Sequence, residues 1–251
     1  MSISVVVGAA RGIGRAIADE LARSDLDRPI VLADIDGDGV HAAAEELRAT
    51  GVDARAIQVD IGDSEAVAQL VAATRSADRV AIAAGIFFSS PSLEAPVDAF
   101  ERVLRVNTIG CFRVAQLYAE EMVMSGGGSI VGVASIAARM PRMRQAFYCA
   151  SKAALRQSLR VLAMEVADRG VRINTVSPGA TDTEMMRDLS TDVAVADLAR
   201  GSLDSLRPRI PNGRVATAED IARSVSFFLS PASSHVYLAD LVVDGGELLG
   251  M

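Results

Sequence analysis

The sequence predicts an α/β fold, a single domain built on a doubly wound parallel sheet of about seven strands. Three observations carry this expectation. Short β-branched runs alternate along the whole chain with longer Ala-rich amphipathic runs, the pattern of βαβ units. A cluster of glycines falls where the first apolar run gives way to the first amphipathic one, as a tight strand-to-helix turn requires. Half of the 251 residues are hydrophobic, enough for one large core.

The expected strands, in order, are ISVVV (3–7), IVLA (30–33), ARAIQV (54–59), RVAIA (79–83), SIVGV (129–133), VRINTV (171–176) and LVVD (241–244). Helical patterns lie between them, at 15–23, 40–48, 65–75, 150–168 and 218–229. Strands and crossovers together consume residues 1–251, which leaves no room for a second domain. From Asp182 to Gly213 the chain is polar, has no strand character and contains RPRIPNG. A long excursion between the last two strands is a candidate lid over a site.

Composition excludes several functions. A formal charge of −7 with no long Lys/Arg run disfavours nucleic acid and anionic membranes as partners. Two cysteines, Cys111 and Cys149, are too few for a disulfide framework and suit a reducing compartment. Two distant histidines, His41 and His235, make a His-based metal site a poor expectation. The first strand follows Met1-Ser2 directly, and the longest uncharged stretch is broken by SGGGS, so neither a signal peptide nor a membrane span is expected. A cytoplasmic protein is the default.

Gly8, Gly12 and Gly14 stand in VVVGAARGIGRAIADEL, spaced G-x-x-x-G-x-G. Placed between a strand and a helix, such glycines let a pyrophosphate approach backbone N–H groups at the helix N-terminus. Asp34 closes the second strand in IVLADID. A carboxylate there can accept hydrogen bonds from an adenosine ribose and would repel a 2′-phosphate, so NAD is expected rather than NADP. Arg11, in the glycine loop, is the one feature that could favour a 2′-phosphate. The run Asp34–Glu45 also matches a calcium-loop pattern, but a buried strand precedes it where an EF-hand needs a helix, and no metal is expected.

AFYCASKAAL sets Tyr148 four residues ahead of Lys152, on one face of a helix. A phenol is a poor base at neutral pH, and an ammonium on its face would stabilise the phenolate. Tyr148 could then take the proton of an alcohol while hydride leaves its carbon.

Gly8, Gly12 and Gly14, Asp60 after the third strand, Asn107 in RVNTIG, Ser135 thirteen residues before Tyr148, the YCASK run and the SPG at 177–179 together resemble the short-chain dehydrogenase/reductase family. The resemblance covers nearly the whole chain and implies a Rossmann-type sheet. It also implies a catalytic set of Asn107, Ser135, Tyr148 and Lys152, with Ser135 holding the reacting oxygen and Asn107 fixing a water in a proton relay. Lys152 would hold the nicotinamide ribose as well. By the same resemblance NAD would lie along Gly8, Arg11, Gly12, Ile13, Gly14, Asp34, Ile35, Asp60, Ile61, Ala84, Gly85, Tyr148, Lys152, Pro178, Gly179, Thr181 and Thr183. Two departures from the family pattern bear on sheet and cofactor-side hydrogen bonds rather than on proton chemistry. Val7 replaces a hydroxyl residue before the first glycine, and Ile82-Ala83-Ala84-Gly85 replaces Asn-Asn-Ala-Gly.

Within the family, Pro141-Arg142, Ser177–Met185 and Ala83-Ala84-Gly85 look like the 2,3-dihydro-2,3-dihydroxybenzoate dehydrogenases of catechol-siderophore pathways. That likeness implies NAD-dependent oxidation of a cyclic dihydrodiol acid, with Arg142 and Met185 at the substrate and Arg142 on its carboxylate. Arg139 and Arg144 read as solvated loop arginines. A trans-2,3-dihydro-3-hydroxyanthranilate dehydrogenase is the alternative, and Arg142 cannot separate the two acids. A ketoacyl reductase fits less well because Asp34 disfavours NADPH. A non-catalytic NAD-binding protein would have lost part of the Ser–Tyr–Lys set. The resemblance further implies a homotetramer packed through helices around 107–124 and 150–169.

Overall fold

The computed structural model describes residues 2–189 and 195–249. Its centre is a seven-stranded parallel sheet in the order β3-β2-β1-β4-β5-β6-β7. The strands are β1 (Ile3–Val7), β2 (Ile30–Asp34), β3 (Ala54–Gln58), β4 (Ala77–Ile82), β5 (Gly128–Val133), β6 (Val171–Pro178) and β7 (Asp240–Val243). All seven predicted runs form strands, shifted by two residues at most at either end. Parallel strands need crossovers, and the helices that supply them cover both faces. Helices α1 (Gly12–Ser24), α2 (Gly37–Ala49) and α3 (Ser64–Ala73) precede α4 (Val97–Leu104) and α5 (Cys111–Ser125). They are followed by α6 (Ala146–Val166), α7 (Glu184–Leu189) and α8 (Ala218–Leu229).

The core divides by face. Ile17 and Leu21 of α1, Val40 and Leu47 of α2, and Val225 and Phe228 of α8 pack with Val6, Leu32 and Val131. Leu70 of α3, Tyr118 and Met122 of α5, and Leu155 and Leu159 of α6 pack with Val5, Val80 and Ile130. β1, β2 and β5 are buried on both faces, which explains why their runs are almost continuously apolar rather than alternating.

Three elements differ from expectation. Helix α6 begins at Ala146, not at 150, so Tyr148 lies inside its first turn. The segment 97–125 is helical throughout, with Arg105–Gly110 wound as a π-helix between α4 and α5, a local widening that periodicity does not reveal. The predicted lid at 182–213 contains α7 and a 3₁₀ segment at Val195–Arg200; its residues 190–194 lie outside the described ones. Its residues Ala199 and Ile210 form a small apolar cluster with Ala180 after β6.

The departures at Val7 and Ala83 leave the ladder intact. Gly8 N donates to Ala33 O at 2.7 Å and Ala83 N to Val7 O at 2.8 Å, so the backbone alone joins these strands. The acid-rich run from Asp34 is the end of β2, a cap and then α2, with Asp36 Oδ1 accepting from Gly39 N.

Asp240 ties β7 to β6 and to α6. It accepts hydrogen bonds from Thr175 and Ser177 on β6 and from Arg139 and Arg156. Arg139 is therefore not the solvated loop residue expected; its guanidinium stands 2.7 Å from Asp240. Burial opposes ionisation of Asp240, but the hydroxyl and guanidinium donors outweigh it and hold the carboxyl below its usual value. A depressed carboxyl stabilises the fold above its unfolded pKa, and that contribution fades as pH falls through the folded value. Asp240→Asn should therefore cost about 2–4 kcal/mol near neutrality. The gap between variant and wild type in thermal melts should be flat above about pH 5 and shrink below about pH 4. A gap unchanged down to pH 3 would count against the ionised network.

Candidate active site

The strand order turns back between β1 and β4, and at such a switch point the loops at the carboxyl ends of the strands diverge and leave a crevice. Gly8 opens one side of it with φ +87°, and a Cβ there would stand 2.4 Å from Ala84 N. Gly14 is tighter still, since its Cβ would meet Gly8 O at 1.8 Å. Arg11 precedes α1 without a side-chain cap, so the first backbone N–H groups of that helix have no side-chain acceptor there. These features fit a pyrophosphate cradle. Thr183 lies across from Gly12, with its methyl 3.6 Å from where a Cβ would stand, so the loop after β6 closes over the glycine turn.

Asp34 sits beside this cradle. Its Oδ2 accepts from Ala10 N at 2.9 Å and its Oδ1 from Asp36 N at 3.0 Å, so it shapes the glycine loop while retaining lone pairs for a further donor. Ile35 next to it is 62% exposed, an apolar side chain at the crevice rim. Arg11 points outward, 3.6 Å from Glu184 of α7. Asp60 Oδ1 accepts from Gly62 N at 2.8 Å, and Ile61 is buried with its carbonyl against Gly110. Ile13 packs partly buried against the α1–α8 face. On the far side Pro178 ends β6, and Gly179 N donates to Val243 O. Thr181 is buried with its hydroxyl on Gly179 O, whereas Met185 is exposed.

The catalytic candidates converge at the C-terminal ends of β4 and β5. Lys152 is buried, unlike most lysines, and its Nζ donates to Val133 O at 2.9 Å. The same Nζ stands 5.9 Å from the centroid of the Tyr148 ring, so the two side chains share one face of α6 as their spacing requires. Asn107, at the π-helical turn, is completely buried. Its Oδ1 accepts from Ile86 N at 2.7 Å, and its Nδ2 donates to Ile86 O at 2.8 Å and to Ser151 Oγ at 3.1 Å. The side chain thus clamps the loop after β4. Gly85 fits between, for a Cβ on it would lie 3.3 Å from Asn107 Oδ1 and 3.4 Å from Lys152 Nζ. Ser135 caps a short 3₁₀ turn, accepting from Ala137 N at 3.1 Å, and its own O–H remains available to donate.

Sequence reading missed several supporting residues. Phe87 stands 4.9 Å from the Tyr148 ring, tilted by 49°. Phe147 is stacked between Phe88 and Phe100, which fixes the first turn of α6. Ser151, three residues after Tyr148, joins α6 to Asn107. The doublet FF after the fourth strand was the only sequence signal for this wall. Arg142 is placed in the loop before α6 but is not a free cation: its Nη2 donates to Glu247 Oε1 at 2.7 Å.

A family model described as enoyl-(acyl carrier protein) reductase matches residues 8–247. The chain is 33% identical to the 2,3-dihydro-2,3-dihydroxybenzoate dehydrogenase of Bacillus subtilis, over 99% of this chain and 97% of that protein. It is 38% identical to the enzyme of the same name from Escherichia coli, over 76% and 79%. It is also 35% identical to D-threitol dehydrogenase of Mycolicibacterium smegmatis, over 97% and 92%. Among solved structures, a short-chain dehydrogenase/reductase family protein superposes with a TM-score of 0.86 at 32% identity, covering 97% of this chain and 96% of the other. Actinorhodin polyketide ketoreductase with NADPH superposes with a TM-score of 0.88 at 26% identity, covering 98% and 96%.

Proposed function

The chain belongs to the short-chain dehydrogenase/reductase family, oxidoreductases acting on CH–OH groups, and on that premise we propose that it oxidises a cyclic dihydrodiol acid with NAD. The substrate proposed is 2,3-dihydro-2,3-dihydroxybenzoate and the product 2,3-dihydroxybenzoate, a step of catechol-siderophore biosynthesis in the cytoplasm. The observation that carries the chemistry is the buried Lys152 ammonium behind the Tyr148 ring, beside the Asn107 clamp.

Tyr148 takes the proton of the substrate alcohol, and Ser135 donates a hydrogen bond to the same oxygen and holds it in place. Lys152 balances the charge on the phenolate. Phe87 packs against the Tyr148 ring at 4.9 Å and helps to hold it in place. A nicotinamide held in this crevice would supply the hydride acceptor for the carbinol carbon. Gly8, Gly12, Gly14 and the first turn of α1 would hold its pyrophosphate, and Thr183 would cover it. Loss of hydride and proton gives a ring ketone that tautomerises to a catechol, so aromatisation draws the reaction toward oxidation.

Asp34 supports NAD over NADP, although a relative of this fold was solved with NADPH. A 2′-phosphate beside this carboxylate should cost about 10²-fold in kcat/KM. Asp34→Ala should narrow that gap; because Asp34 also holds Ala10, affinity for NAD should fall too. Equal use of both cofactors by the wild type would contradict the assignment.

Arg142 is proposed to meet the ring carboxylate. Arg142→Ala should lower kcat/KM for the acid by about 30- to 1000-fold, with little change in NAD binding. An analogue with a neutral amide in place of the carboxylate makes the comparison specific. If wild type and variant discriminate acid from amide equally, Arg142 has no such role.

The same reading makes the protein a homotetramer. Ile109 beside α5, and Val161 and Met164 on α6, stand exposed on the helices that would pack together. Among the described residues no helix is long and apolar enough to cross a membrane.

A further inference from the structure

Tyr148 lies in the first turn of α6, and Gln145, the residue that opens that helix, makes no side-chain capping bond. Helix ends fray, yet a proton acceptor displaced by about 1 Å can lose roughly 10²-fold in rate. Phe147 anchors the turn by stacking, and a polar tie accompanies it. Ser151 is completely buried. Its hydroxyl donates to Tyr148 O at 2.8 Å and accepts from Asn107 Nδ2 at 3.1 Å. Thr108, beside Asn107 in the π-helical turn, donates from Oγ1 to Ser151 O at 2.9 Å. Two hydrogen bonds therefore join the π-turn to the stretch of α6 that bears Tyr148 and Lys152.

The network admits one arrangement. A serine hydroxyl has one proton, and here a carbonyl takes it, so toward Asn107 Ser151 can only accept. Asn107 must then turn Nδ2 to Ser151 and Ile86 O, and Oδ1 to Ile86 N, as it does. The reversed amide would set Oδ1 against two acceptors and Nδ2 against a donor. One hydroxyl thus fixes the Asn107 amide and the Tyr148 turn together. A shift of α6 against the π-turn would also disturb Gly85, whose would-be Cβ lies 3.3 Å from Asn107 Oδ1 and 3.4 Å from Lys152 Nζ. Ser151 has no exposed surface, so it neither binds the alcohol nor carries its proton.

We propose that Ser151 is a positioning residue for the proton transfer, acting through Tyr148, with Thr108 as the second tie. The proposal rests on reading Tyr148 as the proton acceptor. Loss of the Ser151 hydroxyl leaves a buried amide proton of Asn107 unpaired and loosens the turn that carries the phenol. The effect falls on the rate and spares binding.

Steady-state kinetics at saturating NAD test this, with 2,3-dihydro-2,3-dihydroxybenzoate or D-threitol, whichever the wild type oxidises faster. Ser151→Ala should lower kcat by about 10- to 100-fold, with KM and the Kd for NAD within about threefold. In a Tyr148→Phe background the same substitution should change the residual rate by less than about threefold, because the hydroxyl it positions is gone. Should Ser151→Ala not fold, Thr108→Val carries the test, since Thr108 is only half-buried. Its kcat should fall by about 3- to 10-fold with KM unchanged. NMR of ring-labelled tyrosine needs no turnover: of the three tyrosine signals, only that of Tyr148, assigned with Tyr148→Phe, should shift or broaden in Ser151→Ala. An unchanged kcat, a rise in KM and Kd that matches the fall in kcat, or an equal loss in the Tyr148→Phe background overturns the proposal. So does an unmoved Tyr148 signal, even if neither alcohol is oxidised. An active Tyr148→Phe refutes the base assigned above, whereas a fully active Ser151→Ala beside an inactive Tyr148→Phe refutes the role of Ser151 alone.

Discussion

Tyr148→Phe should lower kcat by about 10³-fold or more while the Kd for NAD stays within about twofold. The substitution removes one oxygen and one transferable proton. The ring itself is held by contacts that do not involve the hydroxyl: Phe87 packs at 4.9 Å, and the neighbouring Phe147 is stacked between two further rings. Helix α6 therefore keeps its position, and the cradle at the β1–α1 turn is untouched. Because only the proton acceptor is lost, the effect belongs in kcat and kcat/KM equally. A variant that keeps a tenth of the activity would show that another base performs the transfer. Binding of NAD is measured by fluorescence quenching or calorimetry on the same preparation, which separates lost chemistry from lost structure.

Lys152→Ala should be different in kind. The ammonium is buried, is anchored on Val133 O and stands behind the Tyr148 ring. Truncation removes the charge that balances a phenolate and leaves Val133 O without its side-chain donor. In the proposed mode of binding it also removes a donor to the nicotinamide ribose. The expected result is a fall of about 10²- to 10⁴-fold in kcat/KM, shared between rate and NAD affinity. Lys152→Arg should not restore it, because the side chain is buried with Nζ held on Val133 O at 2.9 Å, and a guanidinium is larger. A Lys152→Ala enzyme with normal NAD affinity would restrict the residue to the proton step.

Much of this was legible from sequence because the physics is local. Strands of a doubly covered sheet must be short, β-branched and apolar, and IVLA or VRINTV can hardly be anything else. Glycines at 8, 12 and 14 carry their own reason, which the structure expresses at Gly8 and Gly14 as distances no Cβ could tolerate and at Gly12 as a φ of +57°. The Tyr148–Lys152 offset fixes a shared helix face wherever that helix lies. What sequence could not supply depends on long-range pairing. Asn107 reads as a helix residue, yet its side chain spans to Ile86 and Ser151 through a π-turn. Arg139 read as a surface residue until β7 brought Asp240 beside it, 101 positions away in sequence. Glu247 gave little sign beyond an acid in an apolar C-terminal run, and its partners come from loops 105 and 40 residues distant.

The most direct measurement is NADH formation by the purified wild type at saturating NAD, with 2,3-dihydro-2,3-dihydroxybenzoate, its amino counterpart, a simple cyclohexenol acid and D-threitol compared side by side. The account predicts rapid NADH formation with the dihydrodiol acid, a catechol as the product, and kcat/KM at least about 10²-fold above that for the open-chain polyol. Equal or faster oxidation of D-threitol, or no NADH from any cyclic dihydro acid, would contradict it.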